Sequence, residues 1–505
     1  MTHLFEEVHL SYPFWRYGEA FEGSEHVFLL DSAKSTGQLG QFSFIGAEPF
    51  LLFSAKRSNQ SAQTASTIQE IIFKNPEGNI LPEPIEKNYS GNPIETLRQL
   101  LRSYTLPQSH FQSSPIPFKG GAVGYFAYEA GYFIETLPDL GMDDLMLPDI
   151  YFGFYDVVLC HDHQQQKTFL SVTGRSSSEA SVQQAMQLKE EALAQMSRFE
   201  ASLPPVLPIL DQHELPEVVF RSHFGQAEYA EMIETCLEHI GRGDVYEICL
   251  THRLEADYEG DGWQLYQTLR HVNPAPFACY MRFPGVEIIC SSPERFLKLD
   301  ENRVVESRPI KGTRPRGSTP EEDQGLMDDL GNSEKDRAEN VMIVDLIRND
   351  LGRVCEVGSI HVPDLFVVEQ YATVFQLVST IRGTLNAELD AIDLVKATFP
   401  GGSMTGAPKI EAMKIIDRLE PVKRGIYSGA IGYLSFDGKM DLNIAIRSIV
   451  LQDKTCYFNV GGAIVADSDP AAEYQETLDK AVAMKKAIRI SHTICQRTKQ
   501  NKPCE

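Results

Sequence analysis

The sequence predicts a layered α+β protein in which helices pack on antiparallel sheet. Its 505 residues are 42% hydrophobic and 23% charged, as in a folded globular chain, and are enough for about two to four domains. Beyond residue 220, strand-like segments alternate with three clear helical segments. Short turns such as FDGK at 436–439 join several of these strands, and hairpins of this kind favour antiparallel over wound parallel sheet.

The first part of the chain is predicted to contain several strands and one long helix. The helix is polar and mostly exposed, over 176–199. Alternating apolar runs between turn residues predict strands at 26–33, 40–55, 120–129 and 149–162.

A proline-rich stretch divides the chain near residue 220. Its prolines, which predict an extended linker, are Pro204, Pro205, Pro208 and Pro216. We therefore expect an N-terminal domain over 1–220, a second domain over 221–485 and a C-terminal tail over 486–505, whose last ten residues, QRTKQNKPCE, should be frayed.

The second domain begins with a predicted helix and strand. Apolar residues at helical spacing mark a helix at 227–244 that Gly241 should close, and YEICLTHRLEA at 246–256 follows as a strand. Further strands are predicted at FACYMRF, VEIICSS, RVVESRP, AIGYLSF, LNIAIRSIVL and TCYFNVGGAIV.

Charge and cysteine usage exclude several classes of protein. Lys+Arg number 46 and Asp+Glu 70, so the net charge is −24, which argues against binding to nucleic acid or to anionic membranes. The nine cysteines include no CxxC pair and no zinc spacing, as expected in a reducing compartment. The N-terminus does not resemble a signal peptide, and no segment reaches the roughly 18–20 apolar residues of a membrane span. We expect a cytoplasmic protein.

The loop PIKGTRPRG at 309–317 concentrates basic residues in an acidic chain. Lys311, Arg314 and Arg316 stand within six residues, and Gly312 allows close approach of a ligand. A solvated basic turn is one interpretation, and a carboxylate-binding loop is the other. Desolvation could also lower the pKa of Lys311 enough to make its amine a nucleophile.

Two helical segments present carboxylates. In 332–353, Ser333 should cap a helix that carries Glu339 near its start. In 460–481, a strand with a glycine pair precedes a helix on which Glu473, Glu476 and Lys480 fall within an arc of about 60°. Each set is consistent with ordinary capping and exposed ion pairs. Alternatively, carboxylates from the two helices hold one Mg²⁺ ion, which typically takes one or two carboxylates with water and an anionic ligand.

Three further features suggest a pocket for a small acid. Glu294 follows a proline at a strand end, and Arg447 lies among apolar residues where it needs an anionic partner. The glycine-rich stretch at 398–413 precedes a helix and could bind an anion, although it is not a nucleotide-binding loop. The residues alone thus indicate an acidic α+β protein, with Mg²⁺ as one possibility, acting on a small carboxylate.

Taken together, these motifs resemble the family of chorismate-utilising enzymes. The resemblance covers about 224–482 and rests on SPERF, PIKGTRPRG, ENVMIVDLIRNDLGR, GGSMTGAPK and GGAIVADSDPAAEYQETLDKA, in that order. GQFSFIGAEPF and GGAVGYFAYE extend it weakly into the N-terminal part. It implies a sandwich of two antiparallel sheets flanked by helices.

The resemblance also implies roles for individual residues. The implied Mg²⁺ ligands are Glu339 and Glu476, with Glu473 beside them. Chorismate would contact Gly312, Thr313, Tyr427, Arg447, Gly461, Gly462 and Lys480. Glu294 would lie near the leaving hydroxyl.

One position separates the amino-transferring subgroups. Anthranilate synthases resemble PIAGT, whereas PIKGT resembles the aminodeoxychorismate synthases, in which this lysine, here Lys311, attacks carbon 2 of chorismate while the hydroxyl leaves carbon 4. Ammonia then attacks carbon 4 and expels the lysine, on the route to 4-aminobenzoate and folate. Isochorismate and salicylate synthases need a Lys base where this chain has Glu247, which disfavours water as the nucleophile.

Other implications of the resemblance concern partners and departures. No cysteine has a glutaminase setting, so a separate glutamine amidotransferase subunit, or free ammonia, is the expected nitrogen source. Gln376 occupies a position that is often His, so an acid–base role is not carried over to it. FLLDSA at 28–33 resembles a tryptophan-pocket segment but equally fits a core strand. The alternatives are anthranilate synthase component I and a non-catalytic regulatory relative that binds a carboxylate.

Overall fold

The fold is seen in a computed structural model of the chain. It describes residues 3–21, 23–34, 39–57, 66–74, 80–105, 115–174, 179–202, 215, 217–371 and 374–500. Within these ranges the chain forms two large antiparallel sheets and flanking helices, which confirms the predicted α+β sandwich.

The first sheet contains twelve strands. From edge to edge it runs β1 (His3–Val8), β10 (Lys167–Thr173), β9 (Val157–Asp162), β3 (Phe42–Ala47), β2 (Val27–Asp31), β13 (Phe277–Phe283), β14 (Val286–Ser292), β23 (Ser448–Gln452), β24 (Thr455–Ile464), β12 (Glu247–Asp257) and β11 (Arg221–Ser222). The short β20 (Gly406–Ala407) also pairs with β12, opposite Glu247 and Ile248.

The second sheet also contains twelve strands. Its order is β17 (Ile310–Pro315), β19 (Val374–Thr384), β16 (Val304–Arg308), β15 (Arg295–Leu299), β22 (Met440–Asn443), β21 (Ala430–Ser435), β7 (Gly121–Phe126), β8 (Ile150–Tyr155), β4 (Leu51–Arg57), β5 (Ser66–Lys74) and β6 (Ile80–Ser90), with β18 (His361–Gln370) beside β19.

Helices cover the outer faces of the two sheets. They are α1 (Pro93–Ser103), α2 (Glu179–Ser202), α3 (Gln226–Arg242), α4 (Gly262–Val272), α5 (Pro320–Asn332), α6 (Glu334–Gly352), α7 (Ala391–Thr398), α8 (Lys409–Leu419) and α9 (Pro470–Gln500). One apolar cluster joins α1, α6 and α7 to the second sheet, and another joins α2, α4 and α9 to the first. A third cluster takes side chains from both sheets, such as Phe28 and Tyr125, and so forms the centre of the sandwich.

The expected boundary near residue 220 divides the chain but not the sheets. Strands from both sides of it join in each sheet, where β2 pairs with β13 and β7 pairs with β21. Much of the predicted linker, 203–214 and 216, lies outside the described residues.

Two local predictions need correction. Helix α3 ends at Gly243, whose positive φ of 81° forms the left-handed cap, and not at Gly241, which stays helical. The tail QRTKQNKPCE at 496–505 was expected to fray, but α9 continues to Gln500, so the first five residues of this tail are helical; 501–505 lie outside the described residues. Within the described ranges, no helix has the length and apolar content needed to cross a bilayer.

Candidate active site

A buried lysine and a buried glutamate meet where the two sheets approach each other. Lys311 lies on β17 of the second sheet and Glu247 begins β12 of the first, and Lys311 Nζ donates to Glu247 Oε1 at 2.5 Å. Their exposed fractions are 8% and 0%. The other oxygen of Glu247, Oε2, is buried and accepts no hydrogen bond from any residue that the structure describes. One carboxylate oxygen thus holds the amine, and the other is available to a ligand.

The charge state of Lys311 differs from the prediction. Burial disfavours the ammonium, but the carboxylates of Glu247 and Glu339 more than offset it and raise the pKa of Lys311 above its ordinary value. The expectation that desolvation lowers this pKa was therefore wrong, because the partner carboxylate dominates. A neutral amine requires that the proton move first, and Glu247 is in position to accept it.

The rest of the basic loop packs α6 against β17. Gly312 has a φ of 82°, and a Cβ there would lie 2.8 Å from Asp336 Cγ, so a side chain would clash with the first turn of α6. Arg314 donates to Asp336 at 2.9 Å, and Arg316 pairs with Asp323. Thr313 is exposed, and its side chain makes no hydrogen bond within the described part of the chain. Of the three basic residues, only Lys311 is directed into the interior.

Three carboxylates from α6 and α9 share one electrostatic environment. Burial raises the pKa of Glu339 to about 7, although the Lys311 ammonium opposes it, and burial also raises the pKa of Glu473. Glu476 is about 50% exposed; burial works against its charge, but Lys480, 2.7 Å away, holds the pKa below its ordinary value. Lys335 on α6 lies 3.9 Å from Glu473 and favours the charged form of all three acids.

This acidic group fits a hard cation by its donor chemistry. Glu473 already accepts a hydrogen bond from Ser468 at 2.7 Å, whereas the Glu339 side chain has no hydrogen bond or ion pair with a described residue. Among the described residues no set of three or more His, Cys, Asp and Glu side chains has the geometry of a metal site. Mg²⁺ needs only one or two carboxylates when water and an anionic ligand supply the remaining oxygens. Glu339 and Glu476 have the donor type for that arrangement, and both lie in the field of Lys311 and Lys335.

Glu294 and Arg447 lie on the loops that end β14 and precede β23. Glu294 is 4% exposed, and burial raises its pKa to about 7 despite a hydrogen bond with Ser403 and the nearby charges of Lys311 and Arg447. Arg447 has a φ of 50°, and its side chain forms no ion pair with any residue described. Burial lowers its pKa, and only the partial influence of Tyr371 and Glu294 opposes this. A desolvated guanidinium without a carboxylate is a site for an incoming anion.

The glycine pair on β24 connects the strand to α9. A Cβ on Gly462 would lie 3.1 Å from Glu473 Oε2 and 3.9 Å from Glu476 Oε1, and Lys480 Nζ donates to the Gly461 carbonyl at 2.9 Å. The absence of a side chain thus lets the carboxylates approach the backbone. Asp469 caps α9 and Pro470 starts it, as predicted.

Tyr427 completes the interior side of the site. It is buried, and burial raises its pKa, with an additional contribution from the nearby Cys249 thiol. Cys249 in turn lies within the electrostatic range of Lys311 and Glu247.

Sequence reasoning did not assign several polar residues that the structure brings to the site. Lys335, Ser403 and Ser468 contact the acids, and their only signal was proximity to the predicted motifs. Asn340, fully buried beside Glu339, accepts from Ser379 Oγ at 2.5 Å. Gln376 is 2% exposed, and its Oε1 is buried without a hydrogen-bond partner among the described residues.

Comparison with known proteins identifies the family of this chain. The sequence model of the chorismate binding enzyme family matches residues 48–486. The chain belongs to this family. Aminodeoxychorismate synthase component 1 of Salmonella typhimurium is 39% identical over 91% of this chain and 94% of its own. Aminodeoxychorismate synthase of Streptomyces pristinaespiralis is 41% identical over 92% of this chain, which spans 62% of that relative's length.

Solved structures of the family share the fold. Anthranilate synthase component I of Streptococcus pneumoniae superposes with a TM-score of 0.71 at 31% identity, over 89% of this chain and 93% of that one. An isochorismate synthase of Escherichia coli, at 17% identity, aligns over 96% of this chain and 94% of its own with a TM-score of 0.66 and shows the fold alone.

Proposed function

We propose that this chorismate-binding enzyme aminates chorismate at carbon 4, giving 4-amino-4-deoxychorismate for the synthesis of 4-aminobenzoate and folate. The observation that carries the proposal is the buried Lys311–Glu247 pair, which supplies an amine and a proton acceptor inside the site. The names of the Salmonella and Streptomyces relatives support the same reaction.

In the first step, Lys311 becomes covalently attached to the ring. Glu247 takes a proton from Lys311, and the free amine attacks carbon 2 of chorismate, forming a C–N bond as both ring double bonds shift and the carbon 4 hydroxyl leaves. Glu294, with a pKa of about 7, is partly protonated at neutral pH and can donate that proton to the hydroxyl, so that water departs.

In the second step, ammonia attacks carbon 4 and the bond to Lys311 breaks. Both ring double bonds shift back, the amine of Lys311 leaves, and the ring keeps its enolpyruvyl group. Glu247 returns its proton to the departing amine, which restores the Lys311 ammonium, and the ammonium formed at carbon 4 can give a proton back to Glu294.

Substrate binding is assigned to the remaining polar groups. Arg447 would hold one carboxylate of chorismate, with Tyr427 and the backbone of Gly461 and Gly462 beside it. Glu339 and Glu476, with Glu473 behind them, would hold Mg²⁺, which when bound would neutralise and orient a substrate carboxylate.

The nitrogen source in this proposal is a separate glutamine amidotransferase. The Salmonella relative, of about the same length as this chain, is named component 1, whereas this chain covers only 62% of the Streptomyces relative. Free ammonia would serve the same chemistry in vitro. A cytoplasmic location stays a prediction.

Identification of the product tests the proposal. The chain is incubated with chorismate, MgCl₂ and an ammonium salt at pH 8, and the product is identified by NMR and by conversion to 4-aminobenzoate with a lyase. Lys311→Ala should give no amination, whereas Lys414→Ala, which removes a lysine paired with Glu411 on the surface of α8, should leave it unchanged. A 2-amino product would instead indicate anthranilate synthesis, and binding without turnover would indicate a regulatory relative.

A further inference from the structure

Two cysteines oppose each other on neighbouring strands of the first sheet. The Cα atoms of Cys279 on β13 and Cys290 on β14 are in register, so both side chains emerge on the same face. Directly opposed residues of antiparallel strands have Cα atoms about 4.5–5.5 Å apart, inside the range of about 4.4–6.8 Å that a disulfide spans. Both thiols lie in the core between the sheets and hydrogen-bond to each other. A disulfide between Cys279 and Cys290 can therefore form without a shift of the two strands.

The two thiols differ in their surroundings. Burial works against a thiolate at Cys290, but hydrogen bonds from Cys279, Ser448, the Ser292 backbone and Asn443 hold its pKa below the ordinary value. Asn443 Nδ2 donates to Cys290 Sγ at 3.7 Å. The pKa of Cys279 is raised, because its thiol donates to Cys290 and is buried. The pair thus consists of a proton-bearing thiol at Cys279 and a polarised sulfur at Cys290 beside it.

A cavity gives small molecules access to one member of this pair, Cys279. It has a volume of about 130 Å³ and is lined by Cys279, Asp31, Ser32, Arg295 and Asn443, among others. A water molecule needs only about 10–15 Å³ on the same measure, so a hydroperoxide, which is little larger, can enter. FLLDSA forms one wall, while Phe28 and Leu29 of the same segment are core residues, as expected for a strand.

We propose that Cys279 and Cys290 form a reversible disulfide site, which a hydroperoxide oxidises through this cavity. The Cys279 sulfur, which lines the cavity, attacks the peroxide, so an S–O bond forms, the O–O bond breaks and water or an alcohol leaves with the thiol proton. The Cys290 sulfur then attacks the sulfenic sulfur; the S–S bond forms, the S–O bond breaks and water leaves with the Cys290 proton. A thiol reductant reverses the change by exchange.

The disulfide would affect the site assigned to chorismate. In its thiol form, Cys290 Sγ donates to the Ile446 carbonyl at 3.7 Å, next to Arg447, and β14 leads directly to Glu294. A disulfide has no proton to donate, so this contact is lost on oxidation. On the basis of the proposed function, kcat/KM for chorismate should fall roughly two- to tenfold on oxidation, which is the effect of losing about one hydrogen bond.

Peptide mapping tests the site without reference to activity. The intact chain is treated with hydrogen peroxide at concentrations that oxidise Cys495, a partly exposed cysteine that serves as an internal control, and is then alkylated in denaturant and digested without reduction. We expect a linked peptide pair containing Cys279 and Cys290, lost after dithiothreitol. If both remain fully alkylated while Cys495 is oxidised, the proposal is wrong.

A variant separates the two cysteines. In Cys290→Ser, peroxide should convert Cys279 to a sulfenic acid that dimedone captures, and no reversible disulfide should form. Cys290→Ala provides the same readout if serine is not tolerated. A linked pair in an enzyme that does not aminate chorismate would refute the proposed function and leave the disulfide site standing. If the oxidised enzyme and the enzyme reduced again with dithiothreitol aminate chorismate at the same rate, the coupling between the disulfide and the site is refuted.

Discussion

Replacing Glu294 by Gln should stabilise the protein above neutral pH while removing most of its activity. A pKa of about 7 against an ordinary value of 4.5 corresponds to about 3 kcal/mol, at about 1.4 kcal/mol per pKa unit. Because the folded carboxyl binds its proton more tightly than the unfolded one, the free energy of unfolding falls as pH rises from 4.5 to 7 and then levels off. Glutamine keeps the shape and carries no charge, so Glu294→Gln should gain up to about 3 kcal/mol at pH 8 and nothing below pH 4.5.

Urea denaturation at pH 5, 6, 7 and 8 measures this difference, and amination of chorismate over the same range gives the activity. The variant should lose about 10²- to 10⁴-fold in kcat, because it can no longer protonate the leaving hydroxyl. We expect kcat/KM of the wild type to decline above pH 7, where Glu294 loses its proton, and the variant to lack this decline. A stability difference that does not vary with pH would refute the raised pKa, and unchanged kcat would refute the acid role.

Glu306→Gln is the matched control, because it changes a mostly buried carboxylate with the opposite shift. Burial works against the Glu306 charge, but Arg295 and Arg382 hold its pKa below the ordinary value. The stability that the charged Glu306 contributes is present above the pKa of this residue in the unfolded chain and is lost as the pH falls through its pKa in the folded protein. Glu306→Gln should therefore destabilise the protein at pH 8, and less so in acid.

Three further changes test the site. Lys311→Ala should abolish the product and the covalent adduct detected by mass spectrometry. It should also lower the free energy of unfolding in urea by about 3–5 kcal/mol, because Glu247 is left as an unpaired buried charge. Adding Glu247→Gln should restore the stability only, and no recovery of stability would contradict the pairing. Arg447→Met should raise KM for chorismate about 10- to 100-fold in steady-state assays, whereas Arg348→Met, at an exposed ion pair, should not; equal effects would exclude a specific role. Glu476→Gln should raise the Mg²⁺ concentration for half-maximal activity and weaken Mg²⁺ binding in calorimetry, and unaltered binding would exclude it as a ligand.

Local signals in the sequence predicted local structure well. Ser333 caps α6, Asp469 and Pro470 start α9, and the short turns join antiparallel strands as expected. Each of these depends on residues a few positions apart, where capping and turn chemistry decide the backbone.

Long-range contacts decided what the sequence could not. The sequence suggested that desolvation could lower the pKa of Lys311. Its partner Glu247 is 64 positions away in the chain, so burial was the only effect that the neighbouring residues indicated. The contact between Lys335 and Glu473 likewise depends on how α6 and α9 pack, which no spacing within either helix reveals. The motifs nevertheless identified most of the residues around Lys311, because they lie on the ends of strands and helices that the fold brings together.

The division of the chain near residue 220 has a consequence for how this site is held. Each sheet takes about half of its strands from each side of that boundary, and the central core contains side chains from both. The second segment alone would expose the edge of β13 that pairs with β2 and the edge of β21 that pairs with β7. Lys311 belongs to one sheet and Glu247 to the other, so their contact depends on the packing between the sheets. The N-terminal segment therefore contributes to the site indirectly, by fixing the two sheets whose ends position the amine and its proton acceptor.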